Sequence, residues 1–220
     1  MLKNIKFIIK LLLILAIIYV AGSFYIAYNY PIKYEKIIDQ VCGENNVDKS
    51  LVLAIIKTES GFDVNAISKK KALGLMQVIP ETIQYISQKY SVEVGINDIF
   101  DPEVNIEIGT LYIKNLIERF GSTDRAILAY NAGPSVVKKW IENGIEDVYD
   151  DEYKWVPYEE TRNYIKRVHK ARKGYQFLIE HNISVPQTLQ NYFIDFLNEE
   201  DGFAKQIKNI VKGILKWKKL

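Results

Sequence analysis

The run Leu11–Ala27 carries no charged residue, and Phe7, Ile8 and Ile9 extend its apolar character upstream. A stretch that is apolar all round is buried in a large core or lies in lipid; it does not sit on the surface of a small domain. A membrane-spanning helix needs about 20 mostly apolar residues, and this segment supplies them. Lys3, Lys6 and Lys10 precede it. Lysine is enriched on cytoplasmic flanks, so the predicted orientation leaves the lysines inside and the bulk of the chain outside the cytoplasmic membrane. The competing reading is a cleaved signal peptide, for which Ala21-Gly22-Ser23 offers small residues. The length of the apolar stretch favours an uncleaved, single-pass anchor over residues 1–30.

Beyond Tyr28-Asn29-Tyr30-Pro31 the pattern becomes amphipathic with helical spacing almost throughout. Tyr34–Asn45 places Ile37, Ile38, Val41 and Cys42 on one face. Pro80 opens a helix carrying Ile83, Ile86 and Tyr90. Asp101-Pro102-Glu103 combines an N-cap, a first-turn proline and a first-turn acid, and its helix runs through Ile108, Leu111, Tyr112 and Leu116 to Gly121. Ser122–Ala132 ends at Gly133, Pro134 opens a helix through Trp140, and Tyr158–Glu180 is a long basic amphipathic helix. No alternating strand pair with a turn signal is present. The predicted class is therefore all-α, with a single core over 31–183 behind the anchor.

Composition narrows the chemistry. A net charge of +2 over 220 residues gives no case for nucleic-acid binding. The single cysteine, Cys42, excludes an intramolecular disulfide and sits one helical turn from Ile38 as a small apolar residue. With one cysteine and two unclustered histidines, His169 and His181, neither a metal site nor a cofactor is expected.

The candidate acid is Glu59. Asp48–Gly61 has the marks of a short helix, with Asp48 as N-cap and Gly61 at the C-terminal glycine position. On it Val52, Ile55, Ile56 and Glu59 follow the spacing i, i+3, i+4, i+7 and share one face. An apolar stripe ending in a carboxylate places the acid at the edge of the core. A carboxyl in apolar surroundings resists ionisation, so its pKa rises. A carboxyl still protonated near neutral pH is what a general acid requires. The bland alternative is a frayed helix end with Glu59 solvated.

Three further blocks follow in order: Ser68-Lys69-Lys70-Lys71-Ala72-Leu73-Gly74-Leu75-Met76-Gln77-Val78-Ile79-Pro80-Glu81-Thr82, then Ala129-Tyr130-Asn131-Ala132-Gly133-Pro134, then Pro157-Tyr158-Glu159-Glu160-Thr161-Arg162-Asn163-Tyr164. Together with Glu59-Ser60 they resemble the catalytic domain of the soluble lytic murein transglycosylase family, over roughly Ile37 to Arg172. The resemblance implies a goose-type lysozyme-like fold and cleavage of the bond between N-acetylmuramic acid and N-acetylglucosamine in peptidoglycan strands. It implies Glu59 as acid and then base, assistance from the substrate's own N-acetyl group, and a 1,6-anhydromuramoyl product. Such substrate assistance is an exception to the usual pair of carboxylates. Position by position it implies saccharide-binding roles for Ser60, Ser68, Gln77, Tyr130, Asn131 and Glu160. Tyr130 is expected to turn its hydroxyl to the catalytic carboxylate, and Met76 to pack below the cleft. Asn131 has a helix-capping alternative, and Glu160 an alternative as a surface pair with Arg162 or Lys166. Lys71 and Leu73 stand where the family often has arginine or glycine.

The stretch 184–220 lies outside the resemblance. Within it, Phe203–Leu220 carries Lys205, Lys208, Lys212, Lys216, Lys218 and Lys219 opposite an apolar stripe. A basic amphipathic helix of this kind lies on an anionic membrane surface or docks on its own domain. The acidic, aromatic loop Asn143–Val156 either lines a groove or is simply solvated. Two other functions stay open at this point: a muramidase of the same fold that uses water, and a wall-binding protein without catalysis.

Overall fold

The computed structural model describes residues 2–95, 98–144 and 153–184. The tail Phe203–Leu220 and the centre of the acidic loop lie outside the described residues.

The described chain falls into an N-terminal segment through Pro31 and a helical unit, Ile32–Asn182. The N-terminal segment is one helix, α1 (Leu2–Asn29). Its stretch Asn4–Asn29 is long and apolar enough to cross a membrane. At 1.5 Å per residue those 26 residues reach about 39 Å, against a hydrocarbon core of about 30 Å. Phe7, Leu12, Leu13, Ile17 and Ile18 are all exposed along it.

The helical unit contains α2 (Glu35–Asn45), α3 (Lys49–Glu59), α4 (Pro80–Tyr90), a 3-10 turn (Asp98–Phe100), α5 (Pro102–Phe120), α6 (Thr123–Ala132), α7 (Pro134–Glu142) and α8 (Glu159–Glu180). The sequence signals mark these boundaries well. Asp48 caps α3 through a bond from Ser50 N–H (2.8 Å). Asp101 caps α5 by accepting from Glu103 and Val104, and Gly121 ends it at φ +64°. The 3-10 turn leading into α5 had no sequence signal. Among the described residues no strand forms, and the only β-type pairing is a pair of isolated bridges, Ile67 with Leu73 and Leu73 with Val78.

Helix α3 differs from the one-sided helix its spacing suggests. Leu51, Val52, Leu53, Ala54, Ile55 and Ile56 are all buried, so it is enclosed on every side. It packs along α8 on one flank and against α2 on another. Burying its five large aliphatic side chains is worth on the order of 10 kcal/mol. Arg172 of α8 binds the Asp48 carboxylate (2.6 Å), fixing the start of α3 against α8. Helix α5 packs against α2, α4 and α6. Glu59 is therefore the last residue of a helix enclosed by its neighbours, and fixed placement is what a catalytic group needs.

Candidate active site

At the end of α3 the chain turns sharply. Gly61 and Phe62 both take positive φ (+62° and +68°), and Phe62 is buried. The Ser60 hydroxyl donates to Leu75 O (2.8 Å) and accepts from Phe62 N–H (3.1 Å). It ties the end of α3 to the segment Gly74–Gln77 and does not line the cleft.

That segment is held from below by a residue the sequence analysis passed over. Asn105 of α5 is completely buried. Its Oδ1 accepts from Met76 N–H (2.8 Å), and its Nδ2 donates to Leu73 O (3.1 Å) and Ile99 O (2.8 Å). Every polar atom of the amide is used. Gly74 lies at φ +70°, and a Cβ there would run into the Asn105 amide. Met76 is buried and packs against Gly109 of α5, where a Cβ would collide with it.

Above this support lies a cleft of about 770 Å³. Glu59, Ser68, Gln77, Tyr130, Asn131 and Glu160 all line it, so the helices bring six of the seven expected site residues to one surface. The Ser68 hydroxyl accepts from Lys70 and Ala72 N–H (3.2 and 3.0 Å), shaping the rim loop. Gln77 has φ +50°. Its amide nitrogen donates to Ala66 O (3.0 Å) and Gly74 O (2.9 Å), which leaves the amide oxygen as its group for a ligand. Helix α6 closes by Gly133 N–H on Ala129 O (2.9 Å), and Asn131 opens onto the cleft instead of capping. Glu160 faces Lys70 across 3.9 Å, rather than Arg162 or Lys166.

The Tyr130 hydroxyl donates to Met76 O (2.8 Å). The residue that bonds the candidate acid is Tyr164 of α8, whose hydroxyl donates to Glu59 Oε1 at 2.6 Å. Its position on the buried face with Thr161, Ile165, Val168 and Ala171 gives it the pattern of a core tyrosine. Tyr164 is buried and Tyr130 half-buried at the cleft; burial first, with the Glu59 charge second, pushes both hydroxyl pKa values well above 10. They stay neutral donors. Burial pushes the Glu59 carboxyl up to about 7, against the opposing pull of the Tyr164 bond and the Arg167 charge. Beyond Glu59 the cleft continues over Tyr85, Tyr112, Asn115 and Arg119. Tyr85 and Lys89 both donate to Asn115 Oδ1. None of these four was expected as a site residue from the sequence: Tyr112 reads as part of the α5 apolar stripe, and Tyr85, Asn115 and Arg119 as ordinary polar helix positions, until α4 and α5 are placed side by side. Cys42 is buried and its thiol is pushed up to about 12 by burial, so it is chemically quiet.

The helical unit thus sets a half-buried carboxyl, bonded by Tyr164, into the wall of an open cleft, as a lysozyme-like fold does. The transglycosylase SLT domain profile matches residues 36–149, and the chain belongs to that family. It is 31% identical over 143 residues to a soluble lytic murein transglycosylase of Salmonella typhimurium, covering 63% of this chain and 22% of the relative. It is 32% identical over 166 residues to membrane-bound lytic murein transglycosylase C of Photorhabdus laumondii, covering 65% of this chain and 46% of the relative. The chain thus spans about a fifth of the soluble relative and under half of the membrane-bound one. Among solved structures it is similar to an inactive glutamate-to-glutamine mutant of the lytic transglycosylase Slt from Pseudomonas aeruginosa, with a TM-score of 0.62 and 26% identity over 74% of this chain and 26% of that one. The 70 kDa soluble lytic transglycosylase of Escherichia coli gives a TM-score of 0.61 with 28% identity, over 68% of this chain and 25% of that one.

Proposed function

We propose that this chain is a membrane-anchored lytic transglycosylase that cleaves the β-1,4 bond between N-acetylmuramic acid and N-acetylglucosamine in peptidoglycan. The observation that carries the reading is Glu59: a carboxyl at the cleft surface, held by Tyr164 and raised to about 7. A group with that pKa is well matched to giving and then taking a proton near neutral pH. Glu59 first protonates the departing glycosidic oxygen. The substrate's N-acetyl oxygen supports the oxocarbenium-like carbon. The muramoyl C6 hydroxyl then attacks that carbon, giving up its proton to the now ionised Glu59 and closing the 1,6-anhydro ring. The proton count returns to its start, and no water is consumed. Gln77, Tyr130, Asn131, Ser68 and Glu160 hold the strand, while Ser60 positions the end of α3 against Leu75. Relatives named as lytic murein transglycosylases, and a relative named inactive after one glutamate-to-glutamine change, support this reading.

Helix α1 serves as a single-pass anchor over residues 1–30, with its lysines cytoplasmic and the catalytic unit over 31–183 on the outer side. A relative named as membrane-bound supports this. The basic segment 203–220, with its apolar stripe, has two readings from its sequence: contact with an anionic membrane surface, or docking on its own domain.

The test is digestion of purified sacculi by the full chain in mild detergent, with mass analysis of the products. The expected muropeptides end in 1,6-anhydromuramic acid. Reducing ends alone, one water heavier, would assign a muramidase, and no cleavage would leave a wall-binding protein. Glu59→Gln should lower the rate by about a hundred- to ten-thousand-fold, the usual worth of general acid–base catalysis.

A further inference from the structure

The rim of the cleft carries three consecutive lysines, Lys69, Lys70 and Lys71, on one tight turn. The turn is fixed. Ser68 N–H bonds Ala72 O (3.0 Å), Lys71 N–H bonds Ser68 O (3.0 Å), and the Ser68 hydroxyl accepts from Lys70 and Ala72. Lys71 takes φ +60°, a left-handed torsion uncommon for a residue with a side chain. Lys69 and Lys70 line the same cleft as Glu59.

Among the described residues little of the charge on this turn is paired. Among the described residues Lys69 and Lys71 have no ion-pair partner. Lys70 has only Glu160 at 3.9 Å, with the two side chains 80% and 72% exposed, a contact of little worth in water. The lysines do not set the acid either, because the groups acting on Glu59 are Tyr164 and Arg167. A neutral sugar chain gives ammonium groups nothing to pair with. The peptide substituents carried by the muramoyl residues of a peptidoglycan strand do, since they bear carboxylates. Glu59, Lys69 and Lys70 line one cleft, so a strand bound beside Glu59 lies in the same cleft as these two ammonium groups.

We propose that Lys69 and Lys70 on this turn form an anion-binding subsite of the cleft that takes a carboxylate of the peptide substituent on the glycan strand. This rests on the peptidoglycan reading above. Lysine suits the task, because its flexible point charge tolerates the varied positions of a mobile peptide better than a planar guanidinium does. The ligand carboxylate replaces Glu160 as the partner of Lys70.

The experiment measures binding to the full-length Glu59→Gln chain in detergent. Its probes are peptide-bearing glycan strands with free carboxylates, the same strands with carboxylates amidated, and strands stripped of peptide. All are prepared free of wall phosphate polymers. The free-carboxylate strand should bind about three- to tenfold more tightly than the amidated one, the worth of one or two exposed ion pairs, and the preference should shrink as salt rises. Lys69→Gln with Lys70→Gln should abolish the preference, and Lys69→Arg with Lys70→Arg should keep most of it. Matched thermal melts confirm that the exposed turn has not altered folding. Equal affinity for the three strands, or a preference that survives the glutamine changes, overturns the proposal. So does a preference that appears only when phosphate polymers are left on the strands, or a glutamine variant that loses binding to anionic vesicles while its strand preference is unchanged. If wild-type chain fails to cleave sacculi but the carboxylate preference is present and lysine-dependent, the activity reading falls and the subsite stands.

Discussion

Glu59→Gln should stabilise the protein while it abolishes cleavage, and the gain should depend on pH. Glu59 has an ordinary value of 4.5 when unfolded and about 7 when folded. Between these two values the folded state holds a proton that the unfolded state has lost. Its favourable contribution is therefore complete below pH 4.5 and is lost as pH rises to 7; above 7 nothing further changes. Each unit is 1.36 kcal/mol, so ionising this carboxyl costs the folded protein about 3 kcal/mol at pH 8. The glutamine amide has no charge to desolvate, and its oxygen still accepts from Tyr164. The variant should match wild type near pH 4.5 and exceed it by about 3 kcal/mol at pH 8. For a helical unit of this size that is about 6–12 °C in Tm. Thermal unfolding of both full-length proteins in the same detergent, at pH 4.5 and 8, measures it. A Tm difference that does not grow between those pH values refutes the argument that burial raises Glu59. A wild type that gains on the variant over that range refutes its sign.

Tyr164→Phe removes the donor that favours ionised Glu59, so the alkaline limb of the cleavage–pH profile should move upward; a limb that stays or falls contradicts the assignment. Asn105→Ala leaves Met76 N–H, Leu73 O and Ile99 O without their buried partner. It should cost about 2–4 kcal/mol in denaturant unfolding and lower activity by loosening Gln77. Removing residues 1–30 should move the protein from the membrane fraction to the soluble fraction of cells, and an unchanged distribution would place the attachment elsewhere in the chain.

Local chemistry wrote most of the helices into the sequence. Asp48, Asp101, Pro80, Pro134 and Gly121 act on backbone groups within a turn of themselves, so their effect needs no distant partner. The same holds for α1, whose uninterrupted apolar composition marks its solvent by itself. Glu59-Ser60 and three ordered blocks after it were enough to bring Glu59, Ser68, Gln77, Tyr130, Asn131 and Glu160 under suspicion together, and the fold brings those six to one cleft. What the sequence left open depends on partners far apart in the chain. Ser60, expected among the saccharide-binding residues, meets Leu75 O, fifteen positions on, only once the chain is folded. Tyr164, on a core-patterned face, bonds Glu59 only because α8 lies along α3, 105 positions away in sequence. Asn105 gives no local hint that it supports Gly74–Gln77. Periodicity reports which face of an element is buried, whereas only packing decides which polar group that face meets. The acid was legible because its own helix carries the apolar stripe; its pKa was set by the fold, because desolvation is the sum of everything packed around it.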